Sequence, residues 1–273
     1  MRQKASGMDA GSEVCQAFDS AIIERSSVIM LELRNVGVKY MQGGAPVSVL
    51  ENINLTVEKG ECLAIVGSSG CGKTTLLNLI AGLKLPTRGT VLYKNTEVRN
   101  PVKEISVVFQ NYGLFPWKTV RENILLPLTL RHEKNQSTEA NHLIHQLGLA
   151  EHAEKYPCQL SGGQRQRVSI GRALLGDSEM ILMDEPFSAL DPMISETLRR
   201  NIRKLFREKN MTSVIVTHSV KEAVLFGDKI AVFAKEGKQI AEVIDNPLLR
   251  EEHFEETEAF QEMQNLVKSK LAG

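Results

Sequence analysis

From Glu61 to Leu83 the chain passes from an apolar run through a glycine-rich loop into a helix, and that order restricts the fold more than any other feature. Glu61 to Val66 is short and apolar, as a strand covered on both faces must be, and it runs straight into Gly67. Gly67 to Thr75 reads GSSGCGKTT, the phosphate-loop pattern, and Thr74 to Leu83 is predicted as the helix that follows. The small residues Gly67, Ser68, Ser69, Gly70, Cys71 and Gly72 let the backbone close around an anion, with successive amides pointing inward at a helix N-terminus. Lys73 is placed to bridge the β and γ phosphates of a nucleotide. Thr74, with Thr75 beside it, offers a hydroxyl to Mg2+, a small hard cation that takes oxygen ligands.

A strand that feeds such a loop belongs in a sheet whose strand ends share one edge. Ile105 to Phe109, Met180 to Met183, Thr212 to Thr217 and Lys229 to Phe233 are further buried-strand candidates, and helical stretches alternate with them. The fold class that follows is α/β, a phosphate-loop NTPase core with a mostly parallel sheet covered on both faces. Leu31 to Tyr40 and Val47 to Val57 instead alternate apolar and polar residues around a Gly43-Gly44 turn, which predicts an N-terminal antiparallel β subdomain. Between Gln110 and Ser161 the pattern is helical, over Val120 to Leu130 and Thr138 to Leu149, and reads as a helical subdomain inserted over about 111–176. Phe260, Met263 and Val267 recur at helical spacing and predict a C-terminal amphipathic helix within 247–273. The main domain is thus expected over 30–246. Residues 1–29 are polar, mixed in charge and without the apolar core of a secretory signal; they are expected to form a weakly ordered extension, with Met30 as an alternative start.

Thirty-three basic and thirty-three acidic residues cancel, so no charge asymmetry argues for a nucleic-acid partner or an anionic lipid surface. Cys15, Cys62, Cys71 and Cys158 show neither paired nor metal-binding spacing and read as reduced thiols. No apolar run approaches the roughly eighteen residues of a spanning helix, so the chain is not expected to cross a membrane itself.

The apolar stretch Met180 to Met183 ends in Asp184 and Glu185, which sets two carboxylates at the sheet edge beside the phosphate loop. There Asp184 would hold the metal through its water shell, while Glu185 would polarise the water that attacks the γ phosphate. An isolated Asp-Glu pair is more often a solvated strand end; the phosphate loop makes the difference. His218 follows the strand Thr212 to Thr217 and belongs at the same edge. His132, His142, His145, His152 and His253 are read as structural or solvated, the spacing of His142 and His145 lacking further metal ligands.

Ahead of the acidic pair, LSGGQRQR sets Ser161, Gly162, Gly163 and Gln164 at the start of another helix. Combined with the phosphate loop, this resembles the ATP-binding cassette family, and every motif of that family appears once and in order between Leu31 and Asn246. The resemblance implies an ATPase that uses ATP and Mg2+. It implies that Tyr40 stacks on adenine, that Gln110 senses the metal and the attacking water, and that His218 contacts the γ phosphate and orients the base. It implies further that two cassettes sandwich two ATP molecules head to tail, with Ser161 and the amides of Gly162 and Gly163 serving the phosphate held by the other subunit. Ser188-Ala189-Leu190-Asp191 would cross the seam. The second set of motifs then comes from another subunit, a homodimer being the simplest case.

Gln110 to Trp117, QNYGLFPW, narrows the resemblance to the ATPases of the nitrate, sulfonate and taurine uptake group. An apolar, aromatic stretch suits the rim on which a permease docks, plain core packing being the other reading of Trp117. The implied setting is the cytoplasmic face of the membrane, with an integral membrane permease as partner and, indirectly, a solute-binding protein, and those partners choose the cargo. Only 55 residues follow His218, too few for the regulatory barrel of sugar-type importers. The motor of an exporter or lipid-extraction system shares every catalytic motif and is the alternative. A DNA-repair cassette is disfavoured by the short separation of Thr75 and Ser161, and a translation-type protein by the single set of motifs.

Overall fold

The computed structural model describes residues 28–132, 137–188, 192–234, 236–250 and 254–272. Residues 1–27 of the expected extension, His253, and Ala189, Leu190 and Asp191 of the expected seam segment lie outside them. The strands are β1 (Ile29–Gln42), β2 (Ala45–Glu58), β3 (Cys62–Val66), β4 (Arg88–Tyr93), β5 (Thr96–Glu97), β6 (Ile105–Val108), β7 (Met180–Asp184), β8 (Thr212–Thr217), β9 (Lys229–Phe233) and β10 (Ile240–Asp245). The helices are α1 (Lys73–Ile80), α2 (Val120–Leu130), α3 (Ser137–Gln146), α4 (Gly162–Leu175), α5 (Pro192–Glu208), α6 (Val220–Phe226) and α7 (Glu258–Ala272).

Two sheets result. The antiparallel one has the order β2-β1-β4-β5, and the larger has the order β10-β9-β3-β8-β7-β6, in which only the β10–β9 pairing is antiparallel. All five residues of β3 and all five of β7 are buried, because successive side chains enter different cores. Leu63, Ile65, Leu182 and Val216 face a core closed by α1 and the antiparallel sheet. Ala64, Val66, Met183 and Ile215 face a second core, closed by the helices. The continuous apolar runs of the sequence are the direct consequence of this double cover. Helix α7 closes the second core with Phe260 and Val267, preceded by short 3-10 turns at Pro247–Arg250 and Phe254–Glu256.

Two predicted helices run too far in the sequence reading, for the same reason. Helix α1 stops at Ile80, where Gly82 takes φ +71° and the amides of Gly82 and Leu83 turn back to the carbonyls of Leu79 and Asn78. Helix α3 stops at Gln146, where Gly148 takes φ +63° and the amides of Gly148 and Leu149 bond the carbonyls of His145 and Ile144. Both are left-handed glycine caps, and the apolar residue just past the glycine carries the helical pattern beyond the true end. Strands β4, β5 and β10 are absent from the sequence reading altogether.

Candidate active site

Four neighbouring parallel strands end at one edge and deliver one motif each. Val66 pairs with Thr217, Asp184 with Val216 and Val108 with Met183, so the chain leaves β3, β8, β7 and β6 side by side, at Gly67, His218, Glu185 and Gln110 respectively. Ligands of open α/β sheets bind at this edge.

The loop from Gly67 to Gly72 starts α1 without a side-chain cap, which leaves the first amides of that helix free of intrahelical or capping partners. Gly72 sits at φ +110°, and a Cβ there would lie 2.7 Å from the Leu50 side chain, so no other residue fits. Lys73 is buried, and its ammonium donates to the carbonyls of Gly67 and Ser68, each at 2.8 Å. Ser68, Ser69 and Gly70 form the exposed lip of the loop, while Cys71 is buried and its thiol is pushed above the usual range by that burial. The Thr74 hydroxyl lies beside the Asp184 carboxylate. Burial drives that carboxyl above the ordinary aspartate range, against the opposing pull of Thr74 and Lys73.

Glu185 departs from the extended strand with φ +51°, a left-handed conformation that costs a non-glycine residue about 1 kcal/mol. Its amide donates to the Val216 carbonyl at 2.9 Å, and its carbonyl accepts from Gln166 of α4 at 3.1 Å and from the Ser188 hydroxyl at 3.0 Å. The turn thus aims the carboxylate at His218, whose Nδ1 lies 2.7 Å from Glu185 Oε2. Phe187 stacks on Phe226 of α6 at 4.7 Å, which ties the segment after Glu185 to the helix after His218. A cavity of about 240 Å³ lined by Gly67, Ser68, His218, Phe233, Ala234 and Leu271 opens beside the pair, so the tip of α7 reaches the site.

Gln110 is exposed two residues past β6. Tyr40, half-exposed near the end of β1, has Lys84 and Thr75 beside it, which sets it near the first turn of α1. The Lys84 ammonium lies 3.3 Å from the ring centroid, and this neighbouring cation holds the phenol below the usual tyrosine range. Ser161 caps α4 in a reciprocal box: its hydroxyl accepts from the Gln164 amide at 3.2 Å, and Gln164 Oε1 accepts from the Ser161 amide at 2.8 Å. Ser161 is exposed. Geometry therefore gathers Lys73, Thr74, Asp184, Glu185 and His218 at one edge, while Ser161 to Gln164 open α4 in the helical subdomain. Asp191 is outside the described residues.

The family model for ABC transporters matches residues 50–188. The chain belongs to the ABC transporter family. It is an ATP-binding subunit of that family and an ATPase. An uncharacterised ABC transporter ATP-binding protein of Methanocaldococcus jannaschii is 42% identical over 224 residues, covering 81% of this chain and 84% of the relative. The taurine import ATP-binding protein TauB of Jannaschia sp. is 40% identical over 207 residues, covering 75% and 77%. Among solved structures, the dimer of a post-hydrolysis state of an ATP-binding cassette bound to ADP and Pi superimposes with a TM-score of 0.71 at 34% identity, over 82% of this chain and 100% of that one.

Several residues that brace the motifs of this ABC ATPase escape a motif reading. Gln166 is one, a buried side chain joining α4 to Glu185. Glu222 is another: its buried carboxylate accepts from the Thr217 hydroxyl at 2.6 Å and pairs with Arg199 of α5 at 3.1 Å, which steadies the strand end that carries His218. Asn123 and Arg172 hold the loop after Gln110, Asn123 by four hydrogen bonds to Phe115, Lys118 and Thr119 and Arg172 by bonds to the carbonyls of Tyr112 and Gly113. Their signal in the sequence is weak, since buried amides and guanidinium groups at helix positions read as ordinary polar surface.

Proposed function

We propose that this ABC ATPase acts as one half of an ATP sandwich that drives import of the nitrate, sulfonate or taurine type through a membrane permease. The observation that carries the reading is the Glu185–His218 pair, 2.7 Å apart, at the strand edge that also carries Lys73. There the carboxylate acts as the base toward the attacking water. The histidine donates from Nδ1 and orients that carboxylate, and in its imidazolium form it also donates from Nε2 to the γ phosphate. Lys73, which satisfies itself on two loop carbonyls, exchanges those partners for the β and γ oxygens of ATP. The uncapped amides of α1 take the remaining phosphate charge. Tyr40 would stack on the base, and Gln110 would sense the water from the neighbouring strand end.

The hydroxyl of Thr74 and the carboxylate of Asp184, beside each other, are oxygen donors of the kind Mg2+ prefers, and a cation would relieve the burial that burdens Asp184. When bound, the metal would neutralise charge on the β and γ phosphates. Ser161, exposed at the start of α4, serves the nucleotide of a second cassette, most simply another copy of this chain; the dimeric cassette bound to ADP and Pi supports this. Asp191 would follow at the seam.

Trp117 is 69% exposed and sits edge-on to Phe115 at 5.4 Å, on the loop that Asn123 and Arg172 brace. A rigid loop presenting an exposed indole suits a permease at the cytoplasmic face of the membrane better than core packing. Among the described residues no helix is long and apolar enough to cross a membrane. The taurine import relative favours import over export, with a solute-binding protein delivering the cargo. Glu185→Gln is expected to trap an ATP-bound dimer with little turnover, read by gel filtration. A variant that stays monomeric with ATP, or hydrolyses at the normal rate, contradicts the reading.

A further inference from the structure

His152 lies in the 3-10 turn Ala150–His152, between α3 and α4, and no step above uses it. Its Nε2 is 2.8 Å from Nε2 of Gln164. The orientation of that amide is fixed from elsewhere, because Gln164 Oε1 accepts from the Ser161 amide. The Gln164 NH2 therefore points at the imidazole, and the ring nitrogen facing it has to accept. The ring proton is then on Nδ1, a buried atom with no hydrogen-bond partner among the described residues. A histidine that merely packed would be free to hold either tautomer; this one leaves a buried donor unmet in order to accept from Gln164.

A second link runs alongside. Arg167, one turn further along α4, donates to the carbonyls of Leu147 at 2.9 Å and Gly148 at 3.3 Å. The first two turns of α4 are thus tied at two points to the segment that contains His152. Within the capping box the Ser161 oxygen spends a lone pair on the Gln164 amide, so its own proton is left to donate outward.

We propose that His152 is a positioning residue for the signature turn: by accepting from the Gln164 side chain it keeps the Ser161–Gln164 box closed, with the Ser161 hydroxyl presented to the γ phosphate of the partner cassette. His152 touches no nucleotide. The inference rests on the composite-site reading above and names a residue that makes that site work.

The test compares His152→Phe, which keeps a ring and removes the acceptor, with His152→Gln, which restores an acceptor at similar reach. Both are placed in the Glu185→Gln background with ATP, and dimer dissociation constants are measured by sedimentation. A parent that stays monomeric overturns the composite site and this inference with it; a parent that dimerises isolates His152. The Phe variant is then expected to weaken the dimer about fivefold or more, the scale of one lost neutral hydrogen bond. Nucleotide affinity of the dilute protein stays unchanged, and the Gln variant returns to the parent value. A Phe variant that dimerises like the parent, or a Gln variant as weak as the Phe variant, overturns the proposal. So does a nitrogen-15 NMR spectrum of the unmutated protein showing His152 protonated at Nε2, a reading that holds even if a variant fails to fold.

Discussion

The phosphate loop and the signature turn are both glycine-rich segments that open a helix, but they treat the helix N-terminus in opposite ways. At α1 no side chain caps the helix, and the cation Lys73 is buried and bonded to the loop's own carbonyls. The amides are kept for a ligand, and one buried charge waits to change partners. At α4 the capping box spends the Ser161 and Gln164 amides internally and leaves the exposed serine hydroxyl, with the amides of Gly162 and Gly163, to donate outward. Under the proposed function the first segment is a whole binding site for phosphate, and the second is a stable helix start that adds donors to a site formed elsewhere. Capture of ATP and its hydrolysis should therefore separate cleanly between the two.

The strongest way to break that contrast is to remove its charged half. Lys73→Ala is expected to weaken ATP binding by about 100-fold or more, the scale of two lost charge-assisted hydrogen bonds, as read by equilibrium titration of dilute protein. Ser161→Arg should lower turnover by about 100-fold while leaving that affinity within about twofold, since it removes a donor used only across the seam. Equal losses of affinity in the two variants would erase the distinction.

Asp184→Asn sharpens the picture on the phosphate side. Burial raises the carboxyl above its unfolded value, so the charged form is disfavoured in the folded protein, and wild type regains stability as pH falls through the raised value. The Asn variant lacks that penalty, and its nucleotide-free form should melt about 3 °C higher at neutral pH, with the gap closing in acid, while hydrolysis is lost. Thermal unfolding across pH measures this; an Asn variant that melts lower at neutral pH would count against it. The smallest effect lies on the signature side. Gly148→Ala forces a Cβ into a left-handed position 3.1 Å from Arg167 and should lower the midpoint by about 2 °C with ATP affinity unchanged.

Much of the catalytic edge was legible because its strands are buried on both faces and so read as unbroken apolar runs, each ending in its motif. Val66 to Gly67, Met183 to Asp184 and Thr217 to His218 are three cases. Strand β10 escaped because it is a half-exposed edge with a weak pattern, and β5 because two residues carry no period. The helical pattern overruns the true ends at Gly82 and Gly148 because an apolar residue just beyond each glycine cap continues it. The residues of the site could be named, but not the bonds that hold them. The retreat of Lys73 onto its own loop, the left-handed turn at Glu185 and the hold of Gln166 on that turn all depend on contacts between segments far apart in the chain.

The central claim is that one ATP is gripped by two polypeptides, and the dependence of specific activity on protein concentration tests it most directly. Turnover per subunit is expected to fall steeply as the protein is diluted below its dimerisation range at saturating ATP, and to recover on reconcentration. A turnover per subunit that stays constant down to concentrations where sedimentation shows only monomers would contradict the account.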